Sequence, residues 1–350
     1  MRIIKSAFLA TTILSAGVTS ASAEVNVMAS IKPIHSLVSA VMDGAGTPSL
    51  IIEGAGSPHN YALKPSQAAA LQDADLVFWV GHDLEAFLEK AIDSVALNAR
   101  SIALSDAHGL TKIKFREGGS FDAHGHDEHN EHDEHDDHDD HDDHDKHDDH
   151  DKHDDHDKHD DHDKHDDHDK HDDHGHEGYD PHVWLDPENA KALIHEIEEA
   201  LVAADPENAA TYERNAEAMM RKLDALITEI NAELEPVKGK GYVVFHDAYQ
   251  YFERRFGVSA VGSITVSPEI LPGAKRVSEL QEKVKSLDAT CVFSEPQFEP
   301  KLVTTITENT TARTGVLDPL GASMESGPGL YFTLIRTMAH SLKDCLLGKS

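Results

Sequence analysis

The chain has 350 residues and a formal net charge of −34, from 65 acidic and 31 basic side chains. That balance argues against nucleic acid as a partner, because phosphate backbones recruit lysine and arginine. The two cysteines, Cys291 and Cys345, are too few and too widely spaced for a CxxC metal site.

Residues 1–23 read as a secretory signal. Arg2 and Lys5 form the positive region, Ala7 to Val18 are mostly apolar, and Ala21-Ser22-Ala23 fits the small-residue cleavage pattern. Cleavage is expected after Ala23, with export of the mature chain. The apolar run is too short to span a bilayer, and with no cysteine at the cleavage site no lipid anchor is expected. In an oxidising compartment Cys291 and Cys345 are expected to pair, with a thiolate metal site as the rival reading.

The N-terminal part alternates short apolar runs with helical patterns. Val25 to Ile31, Ser49 to Ile52 and Leu76 to Val80 read as strands. Pro33 to Met42, Pro65 to Asp73 and Leu84 to Leu97 read as helices. Such alternation implies βαβ units and a mainly parallel sheet.

A 57-residue insert, Phe121 to Glu177, follows and holds 19 of the 27 histidines. From His141 it repeats HDDHDK five times, then closes with HDDHGH. Its 28 acidic residues against five lysines give −23, leaving −11 for the rest of the chain. A period of three fits neither helix nor strand, and nearly nothing in it is apolar, so disorder without metal is expected. An Asp/Lys run would be a solvated charge run; the histidines need a separate reason. Imidazole and carboxylate are ligands for transition metals. His124, His126, His129, His132, His135, His138, His141, His174 and His176 are accordingly candidates for a loose, accessory metal loop.

Beyond the insert the chain turns helical from Pro187 to about Leu234. The tetrapeptide DPEN occurs at 186–189 and 205–208, each a good helix start with Asp as N-cap and Pro at the first position. Alternation then resumes. Strands are expected over Gly241 to Phe245, Val258 to Ile264, Thr290 to Phe293 and Gly315 to Leu317. Helices are expected over Tyr249 to Phe256, Gly273 to Leu287, Lys301 to Thr311 and Gly329 to Leu346. The fold class is therefore α/β: two similar domains with mainly parallel sheets, 24–205 and 236–350, joined by a long helix over 206–235. Ligands in such sheets bind beyond the carboxyl ends of strands.

Eight histidines lie outside the insert. His35, His82, His108, His195 and His340 sit in helices, helix starts or polar turns and read as ordinary surface or core residues. His59 in GAGSPHNYALKPS, His182 in YDPHVWLDP and His246 in FHDAYQ lie in loops at element ends, where site residues concentrate. Spacing alone leaves their convergence open.

The motifs PHNYALKPS, DPHVWLDPENA, VFHDAYQYFERRFG, FSEPQF and VLDPLG occur in that order, with the acidic His insert just before the second. In this the chain resembles the cluster A-I solute-binding proteins of metal-importing ABC transporters, nearest the zinc-specific ZnuA type. The resemblance covers essentially the whole mature chain. It implies two α/β domains bridged by a long helix, one metal in the cleft, and His59, His182 and His246 as ligands. Asp318, in VLDPLG, matches a carboxylate ligand of the manganese-type members. Pro58 stands where some zinc-type members carry glutamate, which leaves Asp318 or water as the fourth ligand; a turn carboxylate before Pro319 is the plain alternative for Asp318. Cys291 and Cys345 match a disulfide of some zinc-type members.

Three imidazoles suit Zn²⁺ better than harder oxygen-rich sites do. The expected function is a periplasmic, monomeric carrier that takes Zn²⁺ in its cleft and hands it to an inner-membrane ABC permease, with the insert as a low-affinity collector. A zinc buffer or sensor, or a carrier that accepts zinc from a periplasmic chaperone, is the alternative. A zinc hydrolase is the enzyme rival, since a His₃ site can activate water, with Glu295 as its faint candidate base. Surface adhesion, a role of some relatives, is disfavoured by the missing lipid anchor.

Overall fold

Strand β1 (Val27–Ala29) is buried along its whole length, as expected of a parallel strand covered on both faces. The computed structural model describes residues 25–116, 178–265, 273–287 and 289–349. The expected signal, residues 1–23, and the His/Asp insert, 121–177, lie outside the described residues.

In the first lobe β1 pairs in parallel with β2 (Ser49–Leu50) and β3 (Leu76–Trp79), and β3 with β4 (Arg100–Ala103), giving the order β2-β1-β3-β4. Helices α1 (Lys32–Val41), α2 (Pro65–Gln72) and α3 (His82–Val95) connect them. Strand β4 was not expected from the sequence. It is an edge strand in which Ile102 alone is fully buried, so it carries little apolar pattern.

The helical stretch divides into α4 (Pro187–Ala204) and α5 (Ala209–Leu234). Asp186 caps α4 through its side chain, which accepts from the Glu188 amide. At the second DPEN, Asp205 instead fastens the corner, accepting from Asn208 Nδ2 and Tyr212 Oη at 2.7 Å each. Helix α5 extends for 26 residues, about 39 Å at 1.5 Å per residue. Its buried stripe includes Met219, Leu223, Leu226 and Ile230, a spacing of three and four that keeps one face inward.

The second lobe repeats the design. Strands β5 (Tyr242–His246), β6 (Ala260–Thr265), β7 (Cys291–Ser294) and β8 (Arg313–Val316) form a parallel sheet in the order β6-β5-β7-β8. Helices α6 (Gln250–Phe256), α7 (Ala274–Ser286), α8 (Pro300–Thr307) and α9 (Leu330–Leu347) surround it. Period-two alternation splits β5 between two cores. Tyr242 and Val244 join the large core shared with α5 and α9, whereas Val243 and Phe245 join a smaller one with Leu280 of α7 and Val303 of α8. Cys291 and Cys345 form a disulfide that ties β7 to α9. Among the described residues no helix is long and apolar enough to cross a membrane.

The lobes are tied directly to each other. The Lys32 ammonium of α1 is buried and donates to the carbonyls of Gly321, Ala322 and Met324 at 2.9–3.0 Å. Arg116 donates to the carboxylates of Asp247 and Glu253. Arg255 donates to both oxygens of Asp186.

Candidate metal centre

His59, His182 and His246 each arrive by a different local device. Ile51 and Ile52 continue the β2 ladder onto the carbonyls of Ala29 and Ser30, which launches the loop from the sheet. At Gly56 a Cβ would meet Tyr61 Cε2 at 2.9 Å, so a residue without one lets the loop turn tightly before His59. His182 is pinned by its neighbour Trp184, which is fully buried and donates Nε1–H to the Pro319 carbonyl at 2.9 Å. His246 is the last residue of β5, at the carboxyl edge where open sheets bind ligands.

The three rings converge. Ring centroids lie 5.2–5.7 Å apart, and one ligand atom from each lies within 4.8 Å of the others. The Nε2 atoms of His182 and His246 stand 3.4 Å apart. Tetrahedral zinc with bonds of 2.0–2.1 Å spaces its ligands by about 3.3–3.4 Å, so this edge already has the zinc dimension. No other group of three or more His, Cys, Asp or Glu ligands forms among the described residues. His35 bonds the Pro48 carbonyl, His82 pairs with Glu89, His340 with Glu233 and Asp344, and His195 lies near Glu198 and Glu199.

Two buried carboxylates sit behind the rings. Asp180 Oδ1 lies 2.7 Å from His182 Nδ1 and also accepts the His182 amide. Glu295 Oε1 lies 2.7 Å from His246 Nδ1. A carboxylate at Nδ1 fixes that nitrogen as the N–H donor and turns the Nε2 lone pair toward the centre. Gln250 Nε2 donates to the second oxygen of Asp180.

Burial and charge set the protonation states. Burial pushes the Asp180 carboxyl up to about 7, against the stabilising His182 amide bond and the charges of His246 and Arg116. Burial, then the two neighbouring imidazoles, hold His59 well below the usual imidazole range, so it is neutral and ready to ligate. Burial would also lower His246, but the Glu295 charge and hydrogen bond outweigh it and leave the imidazole raised. A cation arriving at the centre would compete with a proton for the His246 ring.

Asp318 does not join this group. Its Oδ1 accepts from the amides of Leu320 and Gly321 and from Gln297 Nε2, and its Oδ2 from the Ala322 amide. Four donors hold this carboxylate at its own loop, the plain alternative to a fourth ligand. Glu295, the candidate base of a hydrolase, has Oε1 committed to His246. Asp180 and Gln297 carried no expectation from the sequence. The one available signal was their place inside DPH and EPQF, beside residues that did.

The fold and this cluster define a two-lobed α/β binding protein with a buried three-imidazole site between its lobes. Residues 27–345 match the family model ZnuA, described as zinc-uptake complex component A, periplasmic. The high-affinity zinc uptake system protein ZnuA of Brucella abortus (strain 2308) is 56% identical over 348 residues, 99% of each chain. That of Yersinia pestis is 34% identical over 343 residues, 98% of each. Among solved structures, a crystal structure of ZnuA superposes with a TM-score of 0.68 at 21% identity, over 92% of this chain and 99% of that one. The solute-binding protein FpvC of Pseudomonas aeruginosa in complex with Mn²⁺ gives 0.68 at 18%, over 94% of this chain and 100% of the other. A mutant laminin-binding adhesin of Streptococcus agalactiae gives 0.65 at 23%, over 92% and 99%. These distant structures share the fold. The chain belongs to the ZnuA family.

Proposed function

We propose that this protein is the periplasmic solute-binding component of a high-affinity zinc ABC importer. It takes Zn²⁺ onto His59, His182 and His246 between its lobes and delivers the ion to an inner-membrane permease, making and breaking no covalent bond. The observation that carries this reading is the 3.4 Å approach of His182 and His246 Nε2 with His59 beside them. The cavity between the rings measures about 10 Å³, room for about one small occupant. That space suits an ion and leaves none for a hydrolysable substrate, which favours the carrier over a hydrolase. The chain is exported and cleaved after Ala23. The tract over 121–177 collects zinc weakly and raises its local concentration near the cleft.

The test is calorimetric titration of zinc into the mature protein, a variant lacking 121–177, and that variant with His59→Ala. One tight site that survives deletion of the tract and is lost with His59 supports the reading. Tight binding that disappears with the tract would make the protein a zinc buffer instead.

A further inference from the structure

Three residues that line the histidine cavity each carry a buried polar atom without a hydrogen-bond partner: Ser57 Oγ, Glu295 Oε2 and Gln297 Oε1. A buried acceptor without a donor is unfavourable, so these atoms mark where a cationic or protic group belongs. They differ in what they can reach. The Glu295 carboxylate is anchored through Oε1 to His246 Nδ1, behind the ring and away from the Nε2 side. Ser57 Oγ is a hydroxyl that can rotate, and neutral hydroxyls are outside the usual zinc ligand set. Gln297 is fixed. Its Nε2 donates to Asp318 Oδ1 at 3.1 Å, and a carboxylate saturated by amide donors accepts only, so the amide cannot flip. Oε1 is thereby turned the other way.

We propose that Gln297 Oε1 supplies the fourth ligand of the three-histidine site, and that Asp318 is a positioning residue that aims it. The inference rests on the zinc-carrier reading above. A cavity with room for about one occupant supports an oxygen from the wall over a separate water. A neutral amide ligand also leaves the bound ion a +2 centre facing the buried carboxylates Asp180 and Glu295. The Asp318 loop is in turn gripped by Lys32 through three carbonyls, so the fourth ligand is referenced to both lobes.

The test uses the full chain with zinc below one equivalent, so that the tightest site fills first, and reads affinity by chelator competition. Gln297→Ala should weaken zinc about tenfold to a hundredfold, and Gln297→Leu, which keeps the side-chain volume but has no oxygen, should weaken it equally. Asp318→Asn should weaken binding when Gln297 is present and add nothing in the Gln297→Ala background. A zinc-loaded crystal structure should place Gln297 Oε1 about 2.0–2.2 Å from the ion. Water or another oxygen at that distance, or unchanged affinity in Gln297→Ala, overturns the proposal even if that variant is otherwise sound. Should Gln297→Ala fail to fold, a Gln297→Leu protein with unchanged affinity overturns it equally. If His59→Ala leaves tight binding intact, the carrier reading itself fails, and that result is separate from either outcome at Gln297.

Discussion

His182 and His246, 64 residues apart in sequence, present their Nε2 atoms to each other at 3.4 Å, each ring backed by its own buried carboxylate. The site is thus organised from behind, and its chemistry depends on residues that never touch the ion.

The raised imidazole of His246 makes zinc capture a proton exchange. Zinc affinity should climb with pH through and somewhat above the ordinary imidazole range, then level off. His59, held low, adds little to that slope. Calorimetry at pH 7 in two buffers of different ionisation enthalpy should show proton release on binding. In His246→Ala both the release and the tight site should vanish.

Removing a carboxylate from behind a ring should loosen the site without removing a ligand. Glu295→Gln and Asp180→Asn are each expected to weaken zinc about tenfold to a hundredfold, the usual effect of losing an outer-shell partner. Both variants should keep the parent's circular dichroism. Unchanged affinity in Glu295→Gln would mean that His246 is oriented by packing alone.

Arg116 is half-buried, and it faces Asp247 and Glu253, whose side chains are 3% and 5% exposed. Truncating one partner of a buried ion pair leaves the others uncompensated, at about 3–5 kcal/mol. Arg116→Ala should therefore lower the thermal midpoint by roughly 10 °C for a chain of this size. Adding Asp247→Asn and Glu253→Gln should recover most of the loss.

Glu85 gives the apo protein a pH signature of its own. Its Oε2 accepts from the amides of Val80 and Gly81, and burial pushes the carboxyl up to about 7. The folded state therefore holds this proton more tightly than the unfolded chain. The stability it contributes is full below about pH 4.5 and is lost as pH rises toward and past 7, on the order of 3 kcal/mol. Glu85→Gln keeps an oxygen for both amides and removes the charge. Urea unfolding at pH 5 and pH 8.5 should show the parent losing more stability than the variant, which keeps only the share that the raised Asp180 carboxyl contributes.

Most of the fold is visible in the primary structure because its strands are short buried runs and its helices carry explicit starts. Asp186-Pro187 opens α4 as the capping chemistry requires, and Met219, Leu223, Leu226 and Ile230 mark the inner face of α5. Strand β4 escapes notice because it lies at a sheet edge and needs little beyond Ile102 to hold it. The second DPEN marks the start of the long helix, but that Asp205 fastens the corner through Asn208 and Tyr212 is a contact between side chains that periodicity does not encode.

The sequence by itself determined most of the elements, the unusual histidine content and, through ordered motifs, three candidate ligands. Each of those is written in local composition or in a run of neighbouring residues. Tertiary structure alone decided that Asp318 is occupied by three amides and Gln297, that Asp180 and Glu295 stand behind the imidazoles, and that Arg116 and Lys32 span the lobes. The reason is physical: whether a carboxylate ligates, caps a loop or orients a ring depends on which donors surround it in space. Hydrogen-bond partners come from segments up to about three hundred residues apart, as the Lys32 ammonium and the Met324 carbonyl it donates to do.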